Sequence, residues 1–104
     1  MATPDLSEIT EFAWDSGNAL KSQDRHNVST EEAEQVFFGG PLLLTEDAGH
    51  SATESRYWAF GETREARHLM IVFTVRGDRI RVISARDMNR RERQQYENAN
   101  QEAS

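Results

Sequence analysis

Hydrophobic and polar positions alternate most clearly in the second half of the chain. Residues 54–63 set Arg56, Trp58 and Phe60 on one side of an extended segment and Tyr57, Ala59 and Gly61 on the other, the period of a strand. His68 to Arg76 is an almost unbroken apolar run, the pattern of a central strand. Gly77-Asp78 makes a tight turn into a strand over Arg79 to Ala85, with Arg81 on the side away from Ile80 and Val82. Upstream the period changes. Ser29-Thr30-Glu31-Glu32 is a capping box, and the helix it opens carries Ala33, Val36 and Phe37 on one stripe before Gly39-Gly40-Pro41 stops it. Leu42 to Thr45 is a short strand, and residues 46–53 form a polar loop.

The remaining elements are shorter or more polar. Phe12 to Asp15 is a short strand with Phe12 and Trp14 on one face. Asp15 and Ser16 cap a polar helix from about Gly17 to His26, and Asn27 takes the left-handed position after it. Asp87 or Asn89 caps a last helix through about Asn98, with Met88 and Tyr96 turned to the core. The order β-α-α-β-β-β-β-α predicts an α+β fold. It is an antiparallel four-stranded sheet with an added short N-terminal strand, two N-terminal helices and one C-terminal helix, the helices to one side. Residues 1–104 make one domain, with an ordered core over about 10–98 and flexible ends.

Charge changes this picture. The chain carries a net charge of −6, but residues 1–62 hold three Lys/Arg against twelve Asp/Glu and residues 63–104 hold nine against six. The acidic total argues against non-specific nucleic-acid binding. The arginine-rich run from Arg79 to Arg93 still points to a polyanion or an oppositely charged partner. With no cysteine, three scattered histidines and no Walker or Rossmann pattern, neither a metal site nor a cofactor is expected. The N-terminus lacks a basic, apolar leader and no run is long enough for a membrane span, so the expected location is cytoplasmic, with no membrane partner.

Ordered short matches then carry a resemblance. They run through Phe12-x-Trp14-Asp15, Gly17-Asn18-x-x-Lys21, Arg25-His26-x-Val28-Ser29 and Glu32-Ala33-Glu34-x-Val36-Phe37. They continue with Pro41-Leu-Leu-Leu44, Asp47-x-x-His50-Ser51, Glu54-x-Arg56-Tyr57, Phe60-Gly61-x-Thr63 and Val72-Phe73-Thr74-x-Arg76-Gly77. They end with Ile80 to Met88, Arg91-Glu92-Arg93 and Tyr96-Glu97. Over about residues 12–97 the chain resembles the BrnT family of bacterial ribonuclease toxins from type II toxin–antitoxin pairs. The resemblance implies a small RelE/ParE-like domain that cuts RNA without a metal. It also implies neutralisation by a BrnA-like ribbon-helix-helix antitoxin, through which alone the complex meets operator DNA. Small toxins of this kind are bridged by antitoxin, so a weak homodimer or none is expected alone. Ala66-Arg67 departs from the Gly-Arg pair common in the family before the central strand, as Arg25-His26-Asn27 departs from Lys-His-Gly and Ser16-Gly17-Asn18 from a Pro-x-Lys opening.

Metal-independent RNA cleavage needs a base for the 2′-hydroxyl proton, an acid for the departing 5′-oxygen, and cations for the charge that builds at phosphorus. His50 sits in a loop without apolar neighbours; it is a catalytic candidate, or an ordinary exposed histidine or loop cap. Glu54 and Arg56 share a strand face and form either a base with a phosphate clamp or a cross-strand ion pair. Arg86 ends its strand within the segment that matches the family and completes the catalytic set His50, Glu54, Arg56 and Arg86. Tyr57 for base stacking, Arg67 and Arg81 are the RNA-binding candidates. Arg90, Arg91 and Arg93 oppose the helix dipole, which hints at RNA or an acidic partner. His26 is read as a helix-end contact. A competing function is a catalytically inactive module that holds the antitoxin and co-represses its operator.

Overall fold

The computed structural model describes Leu6 and residues 9–14, 27–38, 41–46 and 55–103. The helix expected over 17–26 and the candidates His50 and Glu54 lie outside these residues. Within them run β1 (Glu11–Phe12), α1 (Thr30–Phe38), β2 (Leu43–Glu46), β3 (Tyr57–Glu62), β4 (His68–Arg76), β5 (Arg79–Asp87) and α2 (Arg90–Ala103). The strands form one five-stranded sheet in the order β1-β5-β4-β3-β2.

The four strands β2 to β5 are antiparallel, as their alternation and turn signals require. The short N-terminal strand is parallel to β5, with Glu11 opposite Arg79 and Phe12 opposite Ile80, so the sheet is mixed. The helices are not on one side. Buried Val28, Ala33 and Val36 of the α1 segment join Ala59, Leu69, Ile71, Phe73, Ile80, Val82 and Ala85 in one core. Tyr96 of α2 joins Phe60 and Met70 in a second, smaller core. Residues 59 and 60, like 69 and 70, are adjacent in strands and point to opposite faces. The sheet is therefore covered by α1 on one face and in part by α2 on the other.

Both helix starts are built as the sequence specifies. The Glu32 amide donates to Ser29 Oγ at 3.1 Å and the Ser29 amide donates to Glu32 Oε1 at 3.1 Å. Val28, just before the cap, and Ala33, one turn on, are both buried in the larger core, as a hydrophobic staple requires. Asn89, not Asp87, caps α2: the Glu92 amide donates to Asn89 Oδ1 at 2.8 Å and the Asn89 amide to Glu92 Oε1 at 2.9 Å. The helix runs on to Ala103, beyond the expected end near Asn98; its last residues, Ala99 to Ala103, include no Gly or Pro, so nothing stops it earlier. One glycine fixes how closely α1 approaches the sheet. A Cβ at Gly61 would lie 2.8 Å from Val36 Cγ1 and 3.3 Å from the Val36 carbonyl oxygen.

A bulge in β5 decides where its arginines point. Val72 faces Ser84, but the next residue, Phe73, faces Val82, so Ile83 has no partner on β4. Strict alternation would send Arg81 and Arg86 to opposite faces. With the bulge, Arg81 pairs with Thr74 and Arg86 with Met70, positions of equal parity on β4, and both arginines stand on the α2 face.

Candidate functional site

The α2 face of the sheet has two zones. Near the β3–β4 hairpin, α2 covers Phe60 and Met70 through Tyr96, whose hydroxyl donates to the Pro41 carbonyl at 2.6 Å. The His68 ring meets the Tyr96 ring edge-on at 5.8 Å, and Glu62 Oε1 lies 3.4 Å from His68 Nε2. Burial pushes the Tyr96 phenol up, and nearby Glu62 adds to it while Asn100 lowers it.

The other zone carries the cations. Thr74 donates from Oγ1 to the Ser55 carbonyl at 2.7 Å, which ties the residue just before Arg56 to β4. Thr74 in turn pairs with Arg81, so half-buried Arg56 and Arg81 flank one position of the central strand. Trp58 shares this face, and its Nε1–H is buried without an acceptor among the described residues. Such a donor costs about 1–3 kcal/mol and is rare in a packed core.

Arg86 joins this face at the edge of α2. Its Nη1 and Nη2 donate to Glu92 Oε1 and Oε2 at 2.8 and 2.9 Å, and Nη1 also donates to the Asp87 carbonyl at 3.0 Å. The side chains of Arg86 and Glu92 are 32% and 13% exposed. Hydrogen bonding to Glu92 raises the Arg86 pKa against the opposing effect of burial. The same bond lowers that of Glu92, with the Asn89 amide adding to it against burial.

The remaining candidates do not join this face. Tyr57 packs at 5.6 Å between ring centroids on Phe73, in the aromatic cluster under α1. Arg67 bonds the Asp87 carboxylate from Nε and Nη2 at 2.7 and 3.0 Å, and from Nη1 reaches Glu32 Oε2 at 3.0 Å and the Asn27 carbonyl at 2.9 Å. Its pKa is raised by Asp87 and Glu32 despite burial. Half-buried Tyr57 thus packs against the larger core and Arg67 ties α1 to the end of β5, so neither stands with Arg56, Arg81 and Arg86. The Arg67 contacts had no local signal, because Glu32 and Asp87 lie 35 and 20 residues away. What sequence reasoning missed is Glu92. The spacing Asn89-x-x-Glu92 marks it as a cap residue, but nothing local tells that its carboxylate also grips Arg86.

Among the described residues, no group of three or more His, Asp or Glu is arranged to hold a metal, and no helix is long and apolar enough to cross a membrane. A shallow hollow of about 440 Å³ lies elsewhere, on the outer side of α1 between Glu31, Glu34, Gln35, Phe38 and Arg64. It holds two carboxylates and none of the candidate residues.

Comparison with known proteins adds to this geometry. A family model described as the ribonuclease toxin BrnT of type II toxin–antitoxin systems matches residues 14–92. The crystal structure of the Brucella abortus ribonuclease toxin BrnT is similar to this chain at 18% identity and a TM-score of 0.56, over 77% of this chain and 97% of that one. That likeness is one of fold. A search of curated proteins found no match.

Proposed function

The chain belongs to the BrnT family of ribonuclease toxins of type II toxin–antitoxin systems, and from that premise we propose that it cuts cellular RNA without a metal on the arginine-bearing face of its sheet. The observation that carries this reading is the β5 bulge, which turns Arg81 and Arg86 to one face beside Arg56. Arginines suit the task because each guanidinium stays charged and offers parallel donors to two phosphate oxygens.

In this reading the RNA 2′-hydroxyl attacks the adjacent phosphorus and the 5′-oxygen leaves. The proton moves from the first oxygen to the second with help from Glu54 and His50, which the chain carries between β2 and β3. Arg86 holds the reacting phosphate, while Arg81 and Arg56 hold the charge that grows on its oxygens. Proton transfer of this kind contributes about two to four powers of ten in rate, and fixed cations add to it.

As a family property, the partner is an antitoxin. We take it to be a BrnA-like ribbon-helix-helix protein, which supplies all contact with operator DNA. The RNA substrate sets the working compartment as the cytoplasm.

The test is induced expression, with growth and RNA integrity followed for the parent chain and for the Glu54→Ala, Arg86→Ala double variant. Purified protein is assayed in parallel on RNA with a chelator present. Arrest and fragmented RNA from the parent alone, unaffected by chelator, is the expected result. Intact RNA from folded parent protein would instead favour an inactive module that holds the antitoxin and co-represses its operator. Cleavage that stops in chelator would sink metal independence alone.

A further inference from the structure

The hydrogen bonds of Arg86 leave a particular edge of its guanidinium unspent. An arginine side chain has five N–H donors. Both donors of Nη1 are used, on Glu92 Oε1 and the Asp87 carbonyl, and one donor of Nη2 is used on Glu92 Oε2. Among the described residues the Nε–H and the second Nη2–H have no acceptor. These two lie side by side on one edge and point the same way, which is the fork that matches two oxygens of a phosphodiester. The side chain is about one-third exposed, so a ligand can reach part of it without dismantling the protein.

We propose that Glu92 is the positioning residue of the RNA site, and that it holds Arg86 so that the Nε/Nη2 edge is a preformed fork for the phosphodiester of RNA. The inference rests on the ribonuclease reading above and adds to it the edge that binds and the residue that aims it. Glu92 is itself held. Its Oε1 accepts from the Asn89 amide at 2.9 Å, and its own amide donates to Asn89 Oδ1 at 2.8 Å. Four residues on, and so on the same side of α2, Tyr96 is buried against Phe60 and Met70. A carboxylate fixed at both backbone and side chain removes the rotamer freedom that Arg86 would otherwise lose on binding.

Helix α2, polar over most of its length, is thereby part of the site. A neutralising role for Glu92 predicts the opposite outcome, because removing its charge would then strengthen RNA binding. The geometry favours positioning, since the carboxylate occupies the end of the guanidinium and leaves the lateral edge open.

The experiment measures binding of a 2′-O-methyl RNA oligonucleotide, which cannot be cleaved, and cleavage of the matching RNA. The proteins are the parent, Glu92→Gln, Arg86→Ala, Arg86→Lys and the Glu92→Gln, Arg86→Ala double variant. Glutamine keeps the cap but has one acceptor oxygen, and affinity is expected to fall about tenfold, as for a lost charge-assisted contact. Arg86→Lys, which leaves the cap untouched, is expected to bind as weakly as Arg86→Ala because it has no fork. In the Arg86→Ala background, Glu92→Gln is expected to change nothing further. Tighter binding by Glu92→Gln, full binding by Arg86→Lys, or losses that add in the double variant would each overturn the proposal. If the parent binds with this pattern but does not cleave, the ribonuclease reading fails and the fork stands. If it cleaves with no dependence on Glu92, the fork fails and the reading stands. If it neither binds nor cleaves, both fail.

Discussion

The two faces of the sheet are made from the same strands and do different work. Under α1, Ala59, Leu69, Ile71, Phe73 and Ala85 have no measurable exposure, and Phe12, Phe37, Phe73 and Tyr57 make an unbroken chain of ring contacts. Under α2, the packed patch is Phe60, Met70 and Tyr96, and beyond it the face carries Arg56, Arg81, Ser84 and Arg86. Buried apolar packing is concentrated on one side, and the arginines stand on the other. The contrast also sorts the arginines. Arg67, on the α1 side, has donors spent on two carboxylates and a carbonyl. Arg86, on the α2 side, spends three donors on one carboxylate and one carbonyl.

The largest effect should come from Tyr96→Ala, because it cuts the smaller core at its centre. The side chain is 1% exposed, and its removal takes away the hydrogen bond to the Pro41 carbonyl as well. Loss of a buried aromatic costs about 3–5 kcal/mol. The comparison adds a sharper expectation: amide exchange should rise first in α2, while the strands under α1 stay protected until global unfolding. RNA cleavage should fall with the helix, since Glu92 goes with it. Uniform loss of protection across both faces would show that the two cores are one cooperative unit and break the contrast drawn above.

Arg67→Ala comes next. Exposed ion pairs are worth about 0.2–1 kcal/mol and breaking buried ones costs about 3–5; Arg67, 26% exposed at its side chain, should fall between them at about 2 kcal/mol. RNA cleavage should be unchanged below the melting transition, unlike the Arg86 variants. The pH dependence follows from Glu32. Burial raises its pKa, but the Ser29 amide and Arg67 outweigh this and leave it lowered in the folded protein. A lowered carboxylate contributes stability that is present above its unfolded value of 4.5 and is lost as pH falls through the folded value. The Arg67→Ala penalty measured by denaturant titration should therefore be full at neutral pH and shrink below about pH 4. A penalty independent of pH would mean that Arg67 acts by packing its stem, not by charge.

Much of this was legible in the sequence, and most of what was not shares one cause. His68 to Arg76 was readable to the residue because an apolar run flanked by a turn needs no tertiary information. The same holds for the capping box at Ser29 and for the left-handed residue at Asn27, whose φ is 54°. Apart from the end of α2, each reading that changed depended on something distant. The parallel pairing of β1 needs β5, which comes about 70 residues later. The face taken by α2 is decided by one tyrosine in a polar helix. The bulge at Ile83 reverses the parity of Arg86 relative to Arg81, and no residue in Arg81-Val82-Ile83-Ser84-Ala85 marks it as a bulge. The proposed site is thus the part of the fold that strict alternation misreads.

The smallest effect is expected at the hairpin between β3 and β4, and its sign is the useful part. The Ala66 amide donates to the Thr63 carbonyl at 2.9 Å, the Thr63 amide to the Arg67 carbonyl at 3.0 Å, and the Arg67 amide to Thr63 Oγ1 at 3.1 Å. This is a type I turn closed by a left-handed residue, and that residue is Ala66, at φ 66°. The left-handed region costs an alanine about 1–2 kcal/mol, whereas glycine enters it freely but gives back about 0.4–1 kcal/mol in unfolded-chain entropy. Ala66 is exposed, so no packing is lost. Ala66→Gly should then stabilise by about 0.5 kcal/mol, or roughly 2–4 °C in Tm for a domain of this size. Gly77→Ala, at φ 62° with open space around a Cβ, should destabilise by about the same 0.5 kcal/mol, the reverse of that balance. RNA cleavage should not respond to Ala66→Gly, because the turn orients Arg67 toward Glu32 and Asp87 and not toward the arginine-bearing face. A loss of cleavage in a more stable Ala66→Gly protein would put the hairpin and Arg67 back among the RNA contacts, and the division between the two faces would no longer hold.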